Sequence, residues 1–198
     1  MEFRLTYQGL LAANGNPAQK HAIRSALHPQ LRELWTAIPL NLFHAYLNPP
    51  PIAPVPAAAG GAAAAPAFTN IRQVGGFNFA QLVHSDLRLH AELDILMLRP
   101  GDIGGLLIQG GDIDNRLKTL FDALRAPHQP NELPAGAVPA ADEDPFHCLL
   151  QDDQLVTKVS VTTDRWLNPT AGPNDVSLVI SVKIKGRLAT HGNLCLIV

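Results

Sequence analysis

Polar and apolar residues alternate from Glu2 to Gln8, the two-residue period of a strand with one buried face. The cluster Asn14-Gly15-Asn16-Pro17 ends that pattern and sets Pro17 to open a helix. From Ala18 to Trp35 the period changes, and Ile23, Leu27, Leu31 and Leu34 recur at helical spacing. Pro29 falls inside this span, so the pattern predicts a kink or two short helices. A second strand is predicted from Leu87 to Leu98, where Leu89, Ala91, Leu93, Ile95 and Met97 alternate with Arg88, His90, Glu92 and Asp94. Leu96 and Leu98 break the alternation and predict a far end buried on both faces. A glycine-rich connector, Gly101 to Gly111, follows. Beyond it Ile113, Leu117, Leu120, Phe121 and Leu124 form one stripe of a helix from Asp112 to Arg125, whose acidic start and basic end suit the helix dipole. Leu155 to Thr163 and Val176 to Lys185, rich in Val, Ile and Thr, predict two more strands, and Leu194 to Val198 a short last one.

Two stretches carry neither period. Asn48 to Pro66 reads NPPPIAPVPAAAGGAAAAP, a low-complexity linker or surface insertion whose prolines favour extended backbone. Pro127 to Pro145 is irregular and contains the acidic run Asp142-Glu143-Asp144. The order strand, helix, strand, helix, strand, strand predicts a single α+β (α/β) domain over residues 1–198: a small mixed β-sheet packed against helices. Insertions interrupt it at about 48–67 and 127–148.

Composition changes this picture in two ways. Apolar residues make up 46% of the chain, but many are alanines in the insertion, so the core is smaller than the length implies. The formal charge is −2, whereas proteins that bind nucleic acid usually carry a basic excess. Any nucleic-acid function must therefore rest on local arrangement of charge. Cys148 and Cys195 form no metal-ligand cluster, which points to a reducing compartment. The N-terminus lacks the basic and apolar regions of a signal peptide, and no apolar run approaches the ~20 residues of a membrane helix. The expectation is a cytoplasmic protein without a membrane segment.

The chemistry concentrates between Gly111 and Leu124, GDIDNRLKTLFDAL. With Asp112 still extended and Asp114 in the first helical turn, two carboxylates converge on one point, an entry that the preceding glycines make sterically cheap. Lys118 stands one turn beyond Asp114 on the same face. Carboxylate oxygens suit Mg²⁺ or Mn²⁺, which polarise a phosphoryl oxygen and generate hydroxide, while an ammonium offsets the charge that develops. Two carboxylates rarely complete such a site, and Asp152-Asp153 before the Leu155 strand supplies a candidate third. Taken singly, each feature has an ordinary structural explanation: a helix cap, a solvated ion pair, a turn.

In order and spacing these residues resemble the signature of the RusA family, an Asp-x-Asp-Asn-x-x-Lys helix with a later Asp-Ala-Leu, followed by an Asp-Asp-x-x-Val strand. The matching residues are Asp112, Asp114, Asn115, Lys118, Asp122-Ala123-Leu124, Asp152, Asp153 and Val156, with Lys158 just beyond. The resemblance implies a Mg²⁺- or Mn²⁺-dependent, homodimeric endonuclease that cuts branched DNA such as Holliday junctions. It implies Asp112, Asp114 and Asp153 as metal ligands, Lys118 as the catalytic lysine and Asp152 as a supporting acid. Asp122 is expected to tie its helix to a neighbouring strand. Lys20, Arg24, Arg32, Arg116 and Lys158 are candidate nucleic-acid contacts, as are Lys183, Lys185 and Arg187. The chain departs from the family in its acidic balance, its Pro/Ala insertion and its long connector before Asp152, which bear on substrate choice. A relative that binds nucleic acid or protein without cutting, and a structural Ca²⁺ or Mg²⁺ site in a protein of other function, stay open as alternatives.

Other chemistries find no pattern. The histidines, His84, His90 and His147 among them, lack the spacing of zinc ligands. Residues 104–111 lack the Gly-Lys-Ser/Thr ending of a P-loop, and no Gly-x-Ser-x-Gly elbow occurs. Trp35 and Trp166 are expected in the core or at a dimer interface.

Overall fold

The computed structural model describes residues 1–43, 69–100, 112–190 and 192–197, with the backbone alone for Asp112. The Pro/Ala insertion and the glycine-rich connector lie outside these residues. What is described is an α+β fold. The strands are β1 (Glu2–Leu10), β2 (Ile71–Val74), β3 (Phe77–Val83), β4 (Leu89–Arg99), β5 (Phe146–Leu150), β6 (Val156–Arg165) and β7 (Asp175–Gly186). The helices are α1 (Pro17–Leu34), α2 (Asp112–Leu124) and a one-turn α3 (Leu194–Ile197).

Instead of one sheet there are two, both mixed. The larger has the order β1-β7-β4-β6, with β7 antiparallel to β1 and β4, and β6 parallel to β4. The smaller has the order β2-β3-β5, a hairpin with β5 added parallel to β3. Alternation along β4 explains the larger sheet. Leu89, Ala91, Leu93, Ile95 and Met97 are buried, while Glu92, Asp94 and Leu96 stand on the open face. The far end of β4 is thus open on one side, contrary to expectation: Leu96 is 37% exposed.

Helix α1 covers the buried face with Ile23, Leu27 and Leu31. Asn16 caps it, its side chain accepting from the Gln19 amide while Gln19 Oε1 accepts from the Asn16 amide. The helix runs unbroken through Pro29. Buried Leu27, His28 and Leu31 hold both sides of the proline, so packing outweighs the lost backbone bond.

The smaller sheet is what the sequence pattern failed to predict. Its signal was the Gly75-Gly76 pair between two β-prone runs, and both glycines adopt positive φ, 58° and 87°, as a tight hairpin requires. Phe77, Phe79 and Phe146 form a second core with Val74, Leu133 and Cys148. The last segment is a helical turn rather than a strand, docked on β7, where the Met1 ammonium donates to the Leu196 carbonyl at 2.9 Å.

His28 joins α1 to this second layer. Its Nδ1 accepts the His147 amide at 2.8 Å, which leaves the proton on Nε2 to donate to the Asp142 carbonyl at 3.1 Å. Burial pulls its pKa below the ordinary imidazole value, against the Asp142 carbonyl, which favours the cation; burial acts likewise on His21 and His84. Because the folded values are depressed, the unfolded chain binds more protons as pH falls below about 6.5. Stability is therefore complete above that value and declines as pH falls through the folded values. The melting temperature is expected to drop between pH 7.5 and 5, and less steeply in His28→Asn; a flat profile would contradict the buried neutral imidazole.

Candidate functional site

Helices α1 and α2 lie side by side and run in the same direction, as three successive contacts show. At the start, the Gly15 amide donates to Thr119 Oγ1 at 2.8 Å. A Cβ at position 15 would stand 2.6 Å from Thr119 Cγ2, so only glycine permits this approach. One turn on, Lys20 Nζ pairs with Asp122 Oδ2 at 2.7 Å. At the far end, Arg24 donates to the carbonyls of Asp122 at 2.8 Å and Arg125 at 3.3 Å. These carbonyls belong to the last turn of α2 and its end, where helical partners run out, so Arg24 caps α2 from the neighbouring helix.

The interior stripe of α2 is Leu120, Ala123 and Leu124, flanked by half-buried Ile113, Leu117 and Phe121. Asp114, Lys118 and Asp122 follow at four-residue intervals along another face. Asp114 and Lys118 are exposed. Asp122 is half-buried between Lys20 and Arg125, whose guanidinium stands 3.0 Å away. Burial alone would raise the Asp122 pKa, but the Lys20 hydrogen bond and the charges of Lys20 and Arg125 bring it below the ordinary value. It ties α2 to α1, not to a strand.

β5 delivers the other acids. After Leu150 the chain forms a short 3-10 turn, Asp153–Leu155, that packs against both α2 and β4 before β6 begins. Asp152 caps the turn, its Oδ1 accepting from the Gln154 amide at 3.0 Å and its Oδ2 lying 3.2 Å from His128 Nε2. Burial disfavours its charge, yet the Gln154 amide, the Asp153 carboxyl and His128 together lower its pKa. Asp153 moves the opposite way: burial raises it, as do the hydrogen bond and charge of Asp152, and Asp122 adds to the rise while Arg125 opposes it. The two neighbouring carboxyls thus shift in opposite directions, Asp153 being the harder of the pair to ionise.

The turn carrying Asp153 thus meets the helix carrying Asp114 and Lys118. Besides Asp152, the charges that act on Asp153 include Asp122 in α2 and Arg125 just beyond its end. Asp114 stands two turns earlier, about 12 Å along the axis from Asp122. The backbone of Asp112 is already helical, not extended as expected. Among the described residues no three acidic, histidine or cysteine side chains stand close enough to hold a metal ion. The oxygen donors have the right chemistry for Mg²⁺ or Mn²⁺; what is on view is an elongated acidic stripe with a lysine in its middle.

Several expected nucleic-acid contacts are reassigned. Arg24, 2% exposed, and Arg116, 4% exposed, cannot reach a phosphate. Arg116 donates to the Leu11 carbonyl and to Asn174 Oδ1, fixing the start of α2 to the loops at that end of the sheet. Lys20 is engaged by Asp122, and Arg32 contacts Asp142 at the surface. Lys158 and Lys183 are exposed on strands β6 and β7. Sequence reasoning passed over Arg125, which bridges Asp122 and Glu132, and His128, which anchors Asp152. Neither carries a local signal, since tertiary contacts make both pairings. Burial pushes the Cys148 thiol up to about 12, which leaves it chemically inert.

No family model matches the chain, and no curated protein or solved structure matches it. No helix among the described residues is long and apolar enough to cross a membrane.

Proposed function

We propose that this chain is a divalent-metal-dependent endonuclease acting on branched DNA in the cytoplasm, as its resemblance to the RusA family implies. The observation that carries the proposal is the packing of the Asp152–Asp153 turn on the helix that bears Asp114 and Lys118, from 38 residues further along the chain. Asp112, Asp114 and Asp153 would hold Mg²⁺ or Mn²⁺, which when bound polarises the phosphoryl oxygen and lowers the pKa of water. Lys118 meets the charge that builds on the phosphate. His128, through Asp152, holds the turn in place. Incubation of the purified chain with branched and linear DNA, with Mg²⁺, with Mn²⁺ and with chelator, tests this. Metal-dependent cleavage of the branched substrate is expected, and its absence with both ions would refute the reading.

A second reading has its own support. The net charge of −2 and the Pro/Ala insertion, both departures from the family, favour a relative that binds nucleic acid or a protein partner without cutting it. Calorimetric titration with Mn²⁺ separates the two, because only the nuclease needs an ion-binding pocket.

The homodimer that the resemblance implies has a candidate interface. Strand β6 ends the larger sheet, and among the described residues no strand lies on its outer side. A two-fold axis perpendicular to the sheet keeps each side chain on its own face, so paired residues must share parity. Centred on Val161, this places Lys158 of one copy opposite Asp164 of the other at both ends. Lys158→Glu and Asp164→Lys are each expected to weaken dimerisation in analytical ultracentrifugation, and the double substitution to restore it. A monomeric wild-type chain would exclude this interface.

A further inference from the structure

A hollow of about 490 Å³ lies at the ends of β4 and β6, lined by Pro100, Arg165, Trp166, Leu167, Asn168 and Pro169 together with Ala171. Here the expectation for tryptophan divides. Trp35 is 3% exposed in the main core, whereas Trp166 is only half-buried and borders this hollow. Leu167 beside it is 83% exposed.

The platform is held in place. The Trp166 amide donates to the Arg99 carbonyl at 2.6 Å, extending the β4–β6 pairing by one residue. Asn168 Oδ1 accepts from both the amide and the hydroxyl of Thr170, at 3.1 and 2.8 Å, and closes the loop on itself. The Gly172 amide donates to Asp175 Oδ2 at 2.8 Å. At its far end, Asn174 accepts from Arg116 at 2.9 Å, two residues beyond Asp114 in α2. One loop therefore joins the hollow to the start of the acidic helix.

The charge at this rim is basic. Arg165 lines the hollow, and Arg99 is its register partner on the adjacent strand. Asp164, the residue before Arg165, turns its Oδ1 back to accept from the Arg165 amide at 2.6 Å. An indole, two prolines and a guanidinium around a space of this size match a flat aromatic ring that carries a phosphate.

We propose that this hollow takes an unpaired nucleobase, stacked on Trp166, with an adjoining phosphate on Arg165. The assignment rests on the nucleic-acid reading above and narrows the substrate to DNA that offers an unstacked base near the acidic helix. Full duplex keeps its bases stacked and cannot fill the hollow, whereas single strands, junctions and frayed ends can.

Equilibrium binding in chelator tests the idea without cleavage. The probes are a fluorescein-labelled oligothymidylate and a duplex of equal length, read by anisotropy, with indole emission followed on unlabelled oligothymidylate. Trp166→Ala is expected to weaken single-strand binding roughly tenfold, and Trp166→Phe less, with duplex binding changed little. Arg165→Gln should also weaken binding and flatten its salt dependence. Oligothymidylate should quench the wild-type emission, and this quenching should vanish in Trp166→Ala, because Trp35 is sealed in the core. Single-strand affinity within twofold of wild type in Trp166→Ala, with an unchanged circular dichroism spectrum, would overturn the assignment. So would quenching by an oligoproline peptide and not by oligonucleotide, which would give the hollow to a peptide. Trp166-dependent binding in a chain that cuts nothing would uphold the hollow and remove the nuclease. Cleavage that is indifferent to Trp166 would do the reverse.

Discussion

Asp153→Asn and Asp114→Asn are each expected to reduce metal-dependent cleavage of branched DNA by two to three orders of magnitude, with the fold intact. An amide is a neutral and weaker donor to a hard cation than a carboxylate, so each change removes a ligand charge while keeping the shape. Losses of this size are typical when one group that stabilises developing charge is removed. Both residues are exposed, so neither substitution opens a hole in the core. Melting temperatures within about 2 °C of wild type should accompany the loss. Asp86→Asn, at an exposed acid in the turn before β4, serves as the control and should cut normally. If the Asp153 and Asp114 variants cut as fast as that control, neither acid belongs to the active centre. Lys118→Ala should fall between the two.

Arg24→Met is expected to cost about 3 kcal/mol, a fall of roughly 6–12 °C in melting temperature. The methionine keeps much of the aliphatic volume, so the change reports on the guanidinium. Two carbonyls at the end of α2 lose charge-assisted donors in a place water does not reach. The negative end of the helix dipole also loses its positive partner. Arg32→Met, eight residues along the same helix, makes the comparison: its side chain is 44% exposed, and it donates at the surface to the Asp142 carbonyl at 2.9 Å and, less closely, to the carboxylate at 3.4 Å. That substitution should shift the transition by less than about 2 °C. Equal losses at both positions would mean that Arg24 does not cap α2.

The difference between these two arginines also shows what sequence can and cannot reveal. Both sit in one helical pattern, and both invited the same reading as phosphate contacts. Periodicity identifies the apolar stripe of α1 through Ile23, Leu27 and Leu31. It does not indicate that Arg24 lies on the side where α2 arrives, since that depends on partners 98 and 101 residues away. Strands β1, β4, β6 and β7 were legible because each alternates or is rich in branched residues. β5 was not, because Phe146 to Leu150 is buried throughout and has no period to read. The candidate site divides along the same line. Asp114, Lys118 and Asp122 share a helix face by spacing alone, and the Asp152–Asp153 turn was recognisable before its strand. That the turn carrying Asp153 packs on this helix follows from β5, the element the pattern concealed.

β5 has a further consequence for the long, proline-rich connector that precedes it. Its end is clamped from two sides: the Gln151 amide donates to the Val83 carbonyl and the Ala126 amide to the Leu150 carbonyl, each at 2.9 Å. Where the acids land is therefore decided after the detour, not along it. New sequence spliced in near Val138, which is 80% exposed, would lengthen the journey and leave the destination where it was.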